Sequence, residues 1–353
     1  MDPRNAPSRP LIFGLNFVAC IFFYLFYPLY VWVYRHSLNM NKIRIIILAL
    51  FLPAGIVCGQ QDPVFSHYMF NTQTYNPGYS GMSGMITASA LTRQQWVGFP
   101  GAPSTMLFNI NMPFSLFGFR SGAGLLVESD KYGFSNDIDI TLSYSGLFSV
   151  GTGTLGAGFS VGVLNKTVSP EWFIPSGPGH TPPAGDPLIP ENDESYLALD
   201  FSAGVYYQGL NYYAGLSVTH LNQPKIKYSQ TATYVSRQYY FTAGYYFQLP
   251  NPAFELVPSV FIVNDGATTQ YLATGMVRYN KKIWGGVSYR ISDAITGFAG
   301  IELYNGLKIG YGYDFPISEI RKGTSGSHEF VVSYSFDIGL GKSVTKYKSI
   351  RFL

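Results

Sequence analysis

Apolar and small or charged residues alternate along the stretch from Lys282 to Phe315. From Leu307, every second residue is apolar or aromatic, and the residues between are Lys308, Gly310, Gly312 and Asp314. Successive side chains of a β-strand point to opposite faces, so this pattern predicts strands with one apolar face. The dipeptides Ser292-Asp293 and Asn305-Gly306 predict tight hairpin turns, which leave no room for helices over the apolar faces. An all-β, transmembrane antiparallel β-barrel satisfies the pattern, because lipid covers the apolar face.

The same alternation extends over residues 85–340 and predicts about fourteen strands. Short connections, for example at Gly209-Leu210 and Asn280-Lys281, alternate with longer ones such as Lys166 to Asp193. Outer-membrane barrels have short periplasmic turns and longer extracellular loops, so the lengths assign the two sides. With an even strand number, both ends of the mature chain are expected in the periplasm.

Composition supports a barrel. Charged residues make up 12% of the 353-residue chain and aromatic residues 17%, whereas soluble domains carry about 25% charged residues. Residues 1–59 carry five basic residues and one acidic residue, and the rest of the chain has 18 basic and 19 acidic residues, so the net charge of +3 does not indicate nucleic-acid binding. Cys20 and Cys58 both lie in that leader, which excludes disulfides and thiolate metal sites in the barrel.

The leader reads as two parts. Residues 40–59 have a basic start, an apolar core and a small-residue cleavage site, which predicts a secretory signal peptide. Residues 1–39 are interpreted as an upstream extension ahead of a start at Met40; the alternative is a genuine N-terminal helix over the apolar run Leu11 to Val33. Residues 60–84 are predicted to form a periplasmic N-terminal or plug segment, packed inside or beneath the barrel. Residues 341–353 are predicted to be a basic periplasmic tail.

The sequence offers little catalytic chemistry. His67, His180, His220 and His328 fall on different elements and are interpreted as exposed or interfacial. No nucleophile elbow, zinc-binding motif or phosphate-binding loop is present, so we expect no enzyme and no cofactor. Lumen-facing charges are interpreted as a structural network, with a conduction path as the alternative; the main members are Arg290, Glu302, Asp314 and Asp337.

Three stretches could contact partners. The loop from Arg93 to Pro103 combines aromatic, basic and amide side chains with rigid Pro and permissive Gly. This composition suits a fixed contact surface or a loop folded inward as a constriction, and a structured hairpin loop is the alternative. The Pro- and Gly-rich loop Lys166 to Asp193 extends outward, and the basic tail faces the periplasm. The candidate contact residues are Arg93, Gln95, Trp96, Phe99, Trp172, Lys342, Lys346 and Arg351.

Several motifs resemble the PorP/SprF family from Gln60 to the C-terminus. They are Gln61 to Asn71, Asn76 to Gly81, Arg93 to Pro103, Trp284 to Arg290 and Gly310 to Pro316. One departure is Gly78, where the family more often has Ala. The residues that resemble the family's opening belong to the N-terminal segment and are Gln61, Asp62, Pro63, Phe65, Tyr68, Asn71, Asn76 and Pro77.

The resemblance implies a non-enzymatic outer-membrane barrel of the type IX secretion and gliding-motility system in a Gram-negative bacterium. Members of the family associate with periplasmic or lipoprotein components, or with secreted adhesins that carry a C-terminal sorting domain. The leading hypothesis is therefore a barrel that docks or anchors a secreted surface protein. A diffusion channel or hydrophobic-ligand transporter is the alternative, and an outer-membrane hydrolase using His220 or His328 is a third hypothesis.

Overall fold

Fourteen strands close into one antiparallel ring in the computed structural model, which describes residues 62–169, 192–228, 232–303 and 306–336. The predicted fold class and strand number are therefore confirmed. The ring closes where β1 pairs with β17. β10 and β11 lie on either side of Tyr246 and both pair with β12, so together they form one barrel strand. β8 and β9 form a separate hairpin.

The strand bounds are β1 Ile86–Gln94, β2 Ser104–Leu116, β3 Phe119–Tyr132, β4 Ser135–Val150, β5 Gly153–Val168, β6 Glu194–Gln208, β7 Tyr212–Thr219, β8 Lys225–Lys227, β9 Ala232–Tyr234, β10 Gln238–Tyr245, β11 Phe247–Gln248, β12 Phe254–Asn264, β13 Thr269–Tyr279, β14 Ile283–Arg290, β15 Ala294–Glu302, β16 Leu307–Pro316 and β17 Ser327–Phe336.

The predicted alternation decides which side chains face lipid. On β16, Ile309 and Phe315 are exposed on the outside of the ring, whereas Gly312 and Asp314 are buried inside it. On β17, Phe330 is exposed and its neighbour Glu329 is buried. A closed ring leaves no unpaired strand edge, so its backbone polar groups are satisfied within a bilayer.

The long connections that follow β1, β5, β7 and β16 all leave the same end of the barrel, which we call the outer end. The turns 117–118, 151–152, 209–211 and 280–282 lie at the opposite, periplasmic end. The length rule is not uniform, because the two-residue turn 133–134 and the turn 291–293 also lie at the outer end. The side on which a connection lies therefore follows from strand order, whereas its length obeys the rule of short periplasmic turns and long outer loops only in part.

Residues 62–84, here called the lumen segment, run inside the barrel before β1 begins. They contain short 3-10 turns at Tyr68–Phe70 and Pro77–Tyr79 and one helical turn, α1, at Thr72–Tyr75. Asp62 lies beside His220, just beyond the outer end of β7. Ser80 lies against Gly122 near the periplasmic end of β3. The segment thus begins at the outer end of the lumen and runs toward the periplasmic end. The even number of strands instead predicts that it begins on the periplasmic side.

Aromatic packing fills the lumen around this segment. Tyr75 and Tyr68 pack on Phe261 of β12, with ring centroids 4.8 Å apart in each pair. Phe70 packs on Trp284 of β14 with centroids 4.9 Å apart. These inward aromatics give the barrel a hydrophobic core of its own.

Among the described residues, none of the helices has the length and apolar character needed to cross a membrane. Several predictions fall on residues outside the described ranges: the leader 1–59, the tail 341–353, and the single positions Gln61, Trp172, His180, Asp337, Lys342, Lys346 and Arg351.

Candidate functional site: the lumen and the outer loops

Arg93 is part of a buried ion-pair network in the lumen. Its Nη2 atom lies 2.5 Å from Asp314 Oδ2, and its Nη1 atom lies 3.0 Å from Glu329 Oε2. All three side chains are at most 3% exposed. The sequence prediction that Arg93 is an outer partner contact is corrected by this burial. Arg93 lies two positions after Leu91 on β1, so both side chains are on the inward face of the strand. The Arg93 side chain therefore points into the lumen and away from the loop that follows.

The lumen segment supplies hydrogen-bond donors to the same network. The backbone amides of Ser66 and His67 donate to the two oxygens of Glu329, over 2.8 and 2.7 Å. His67 Nδ1 lies 2.6 Å from Glu329 Oε1, and Ser66 Oγ donates to Asp314 Oδ1 over 2.9 Å. His67 is fully buried, so its interpretation as an exposed or interfacial residue was wrong. Hydrogen bonding to this carboxylate fixes its position, since a buried charge requires partners.

The other predicted lumen charges lie at two places. Arg290 Nη1 lies 2.8 Å from Asp293 Oδ2, and its Nη2 lies 3.8 Å from Asp314 Oδ2, next to the network around Arg93. Glu302 lies near the periplasmic end and pairs with Lys308 over 3.5 Å, with both side chains about one-third exposed. Arg290 and Asp314 are thus brought together, whereas Glu302 is separate.

A second polar cluster holds the start of the lumen segment. His220 lies between two carboxylates: Nε2 is 3.0 Å from Asp62 Oδ2, and Nδ1 is 3.0 Å from Asp200 Oδ1. Tyr240 also donates to Asp62 Oδ2 over 3.0 Å. His220 is 7% exposed, so the expectation of an exposed histidine was wrong here too. His220 directly follows β7 at a position that would face lipid if the strand continued, and its left-handed backbone, with a φ angle of 53°, breaks that alternation.

The electrostatic interaction between His220 and Asp62 favours the charged forms of both side chains. Burial lowers the pKa of His220, but Asp62 and Asp200 more than offset this and raise the pKa to about 10. Burial raises the pKa of Asp62, and the His220 imidazolium more than offsets it, so that the net shift is downward. The segment is thus fastened by an ion pair near neutral pH.

Glycines on the barrel strands form the surface on which the lumen segment packs. A Cβ atom on Gly122 would be 1.9 Å from Ser80 O, and one on Gly156 would be 2.0 Å from Gly78 O. Gly78 itself is enclosed, with Gly156 O and Gly204 O 2.9 Å from the position of a Cβ atom. Asn76 fixes this part of the chain by donating to Val205 O over 2.9 Å. The close approach of two backbones therefore explains the small residues on these strands.

The clusters do not have the geometry of a hydrolytic triad. Ser66 Oγ and His67 Nδ1 are engaged with different carboxylates, Asp314 and Glu329. Within the described ranges, no group of three or more His, Cys, Asp or Glu side chains is arranged to hold a metal ion.

The outer loops are bonded to one another. Val97 N donates to Gly326 O over 2.8 Å, and Ser325 N donates back to Val97 O over 2.9 Å. Gly133 N donates to Gly101 O over 2.9 Å. Loops 95–103 and 317–326 and turn 133–134 therefore form one unit, here called the outer-loop platform.

The predicted loop residues occupy different depths in the platform. Phe99 is 47% exposed, whereas Gln95 and Trp96 are half-buried. The backbone amide of Trp96 donates to Ser327 Oγ over 3.1 Å. Among these three candidates, Phe99 has the most exposed side chain.

Sequence reasoning missed how Glu329 and Lys166 are used. Glu329 is a buried, inward-facing residue of β17, and the sequence does not show that it accepts hydrogen bonds from the lumen segment. Lys166 had been treated as the start of an outer loop, yet it lies on β5 and its Nζ is 3.0 Å from Asp137 Oδ2 and 3.2 Å from Asp139 Oδ2. The available signal in the sequence was the alternation along each strand, which places these side chains on the lumen face.

Known structures share the barrel shape with this chain at low similarity. The Acinetobacter baumannii outer membrane protein Omp33 is 7% identical, with 73% of this chain and all of that chain covered and a TM-score of 0.41. The CymD monoaromatic hydrocarbon channel is 11% identical, covers 79% and 95%, and has a TM-score of 0.45. The P. putida toluene transporter TodX is 10% identical, covers 74% and 93%, and has a TM-score of 0.42. These values support no functional comparison. No match was found among the curated proteins.

The family is shown by sequence. The family described as "Type IX secretion system membrane protein PorP/SprF" matches residues 57–334, which include the whole lumen segment and nearly all of the barrel. This confirms the resemblance drawn from the motifs and, with the closed barrel, the outer-membrane location. The chain is a member of the PorP/SprF family of type IX secretion system membrane proteins.

Proposed function

We propose that this protein is a non-enzymatic docking barrel, which binds the C-terminal sorting domain of a secreted surface protein and anchors that protein at the outer face of the membrane. The observation that carries the proposal is the contrast between the two parts of the site. The lumen is occupied by the chain's own residues 62–84, whereas the outer loops are bonded into a platform. Membership of a secretion-system family supports a partner that is exported.

The platform has properties that suit docking. Its loops are already connected by backbone hydrogen bonds, so binding orders little additional chain and costs less conformational entropy. Phe99 offers an exposed aromatic side chain of the type enriched at interface anchor points. Glu319 and Lys322 at the same end are both more than two-thirds exposed and add a charged rim.

The periplasmic part of the proposal rests on composition and family alone. The basic tail with Lys342, Lys346 and Arg351 carries the charge that would meet periplasmic or lipoprotein components of the type IX system. A role in gliding motility and a role in general export are both compatible with this arrangement.

Two phenylalanines provide a matched test of docking. Phe99 lies in the platform, and Phe117 lies in a periplasmic turn with 92% of its side chain exposed. We expect Phe99→Ser to reduce the recovery of the secreted protein when the barrel is affinity-purified from native membranes, and Phe117→Ser to leave that recovery unchanged. Equal recovery with both variants would contradict docking at the platform.

The loop with Trp172 is tested by a separate deletion. Replacing residues 170–191 with a short Gly-Ser linker removes the loop while it leaves Lys166 and its two aspartates in place. Loss of co-purification would support docking by residues 170–191, and unchanged co-purification would contradict it. Normal barrel formation, read from heat-modifiable migration in gels, is the control.

The alternative, a diffusion channel or hydrophobic-ligand transporter, requires an open lumen or a displaceable lumen segment. The hydrogen bonds and aromatic contacts of residues 62–84 argue for a closed resting state. Conductance measurements therefore discriminate between the two functions, as set out below.

A further inference from the structure

A small cavity with an acidic wall lies beside Asp62 in the outer half of the lumen. Its volume is about 70 Å³, which is room for several water-sized groups. Four carboxylates line it, contributed by the lumen segment and by three different strands: Asp62, Glu128, Asp139 and Asp200. Part of the Asp62 and Asp139 side chains, 33% and 20%, is exposed, so solvent reaches the cavity.

The charges around this cavity are not balanced by the cations that the structure describes. His220 is shared by two aspartates, Asp62 and Asp200. Lys166 is likewise shared by Asp137 and Asp139. Within the described ranges, Glu128 has no ion-pair partner. Each cation thus serves two carboxylates, and the wall keeps a negative excess that favours a bound positive charge.

Two residues that line the cavity carry buried hydrogen-bond acceptors without a partner in the described part of the chain. Gln73 is 6% exposed and lines the cavity, and its Oε1 atom has no hydrogen-bond partner among the described residues. The Oδ1 atom of Asp139, also on the wall, has none either. A buried acceptor without a donor is unfavourable, so a ligand that brings several donors would relieve this cost.

We propose that this cavity binds an organic cation that carries N–H donors, namely a primary ammonium or a guanidinium group. Such a group provides the positive charge that the carboxylates lack and the donors that Gln73 and Asp139 lack. Tyr75 and Tyr240 also line the cavity. A divalent metal ion suits the site less well, since no ligand set for a metal is present in the described chain.

The proposal goes beyond the docking function and does not depend on it. The cation can be a free amine or the end of a lysine or arginine side chain on a peptide that enters from the outer end. Both sources present the same chemistry, and the experiment separates them.

The test is calorimetric titration of the full-length barrel in detergent at low ionic strength. The probes are methylammonium and methylguanidinium, with tetramethylammonium as a cation that lacks N–H donors, and acetyl-Gly-Lys-Gly-amide as the peptide form. We expect saturable binding of methylammonium or methylguanidinium and at least tenfold weaker binding of tetramethylammonium. Binding of the peptide in competition with methylammonium assigns the site to a side chain, and binding of the small cations alone assigns it to free amines.

Glu128→Gln is the decisive variant, because it replaces one carboxyl group of the wall with an amide and breaks no ion pair among the described residues. It should weaken binding about tenfold or more, the value of a charge-assisted hydrogen bond. Glu302→Gln removes a glutamate from the periplasmic half of the lumen and should bind as the unmodified protein does. Absence of saturable binding, equal affinity in Glu128→Gln, or displacement of methylammonium by equimolar Ca²⁺ would each overturn the proposal.

Discussion

His67 Nδ1 and Glu329 Oε1 lie 2.6 Å apart although the two residues are separated by 262 positions in the chain. His67 belongs to the lumen segment and Glu329 to the last strand of the barrel. The same carboxylate accepts the backbone amides of Ser66 and His67 and pairs with Arg93. One glutamate therefore connects the lumen segment, the first strand and the last strand, at the place where the ring closes.

Glu329→Gln should destabilise the barrel by about 3–5 kcal/mol, because it leaves a buried arginine with only part of its partners. The measurement is the free energy of unfolding by urea in lipid vesicles. Glu319→Gln is the control: it alters an exposed ion pair of the outer loop 317–326, and its effect should stay within about 0.5 kcal/mol. A loss below about 1 kcal/mol for Glu329→Gln would show that the network does not fasten the segment.

The fastening at Asp62 should weaken at alkaline pH. The pKa of His220 is raised from 6.5 to about 10 in the folded protein, so its stabilisation is complete below about pH 6.5 and is lost as the pH rises through 10. The pKa of Asp62 is lowered from 3.8, so its contribution is present above that value and is lost in acid. We expect the apparent unfolding temperature of the unmodified barrel in detergent to fall between about pH 7 and pH 10.5.

His220→Asn is the comparison for this pH dependence. His220 has a φ angle of 53°, and Asn tolerates that region better than most residues. The variant should be less stable near pH 7 and should converge with the unmodified protein near pH 10.5. Parallel curves across this range would mean that His220 does not carry the effect.

Gly122→Ala and Gly156→Ala should each impair folding, because the added methyl group meets the backbone of residues 78–80 at about 2 Å. Overpacking costs about 1–3 kcal/mol where side chains can adjust, and a backbone contact is less able to adjust. Gly297→Ala on β15 is the control, since no atom lies within 4 Å of its Cβ position. Folded fractions are read from heat-modifiable migration after refolding; equal yields for all three variants would contradict the packing of the lumen segment on these glycines.

The unmodified barrel should be nearly silent in planar bilayers, because the lumen segment and its aromatic contacts fill the interior. Deleting residues 62–84 should produce ion conductance, provided that heat-modifiable migration shows a folded ring. High conductance of the unmodified protein would favour the channel alternative over docking. A folded but silent deletion variant would show that side chains of the strands close the lumen by themselves.

Much of the fold could be predicted from the sequence, because lipid requires apolar side chains at every second position of a membrane-spanning strand. The inward position of Asp314 and the outward position of Ile309 follow from parity alone. The network around Glu329 was not accessible in this way. Parity shows that Arg93 and Asp314 face inward, but not which inward side chains meet across the lumen. Arg93 is the second-last residue of β1, and a strand end is hard to place from sequence. A shift of the strand end by one position moves a residue from the lumen face into the surface loop.

The sequence by itself determined the barrel, its strand number and its family, since strand alternation, turn residues and local motifs are properties of neighbouring positions. The tertiary structure alone decided the course of residues 62–84 and the burial of His67 and His220. Those outcomes depend on contacts between residues up to 263 positions apart. Such contacts form only when the ring closes and encloses the segment in a space where each buried charge must find a partner.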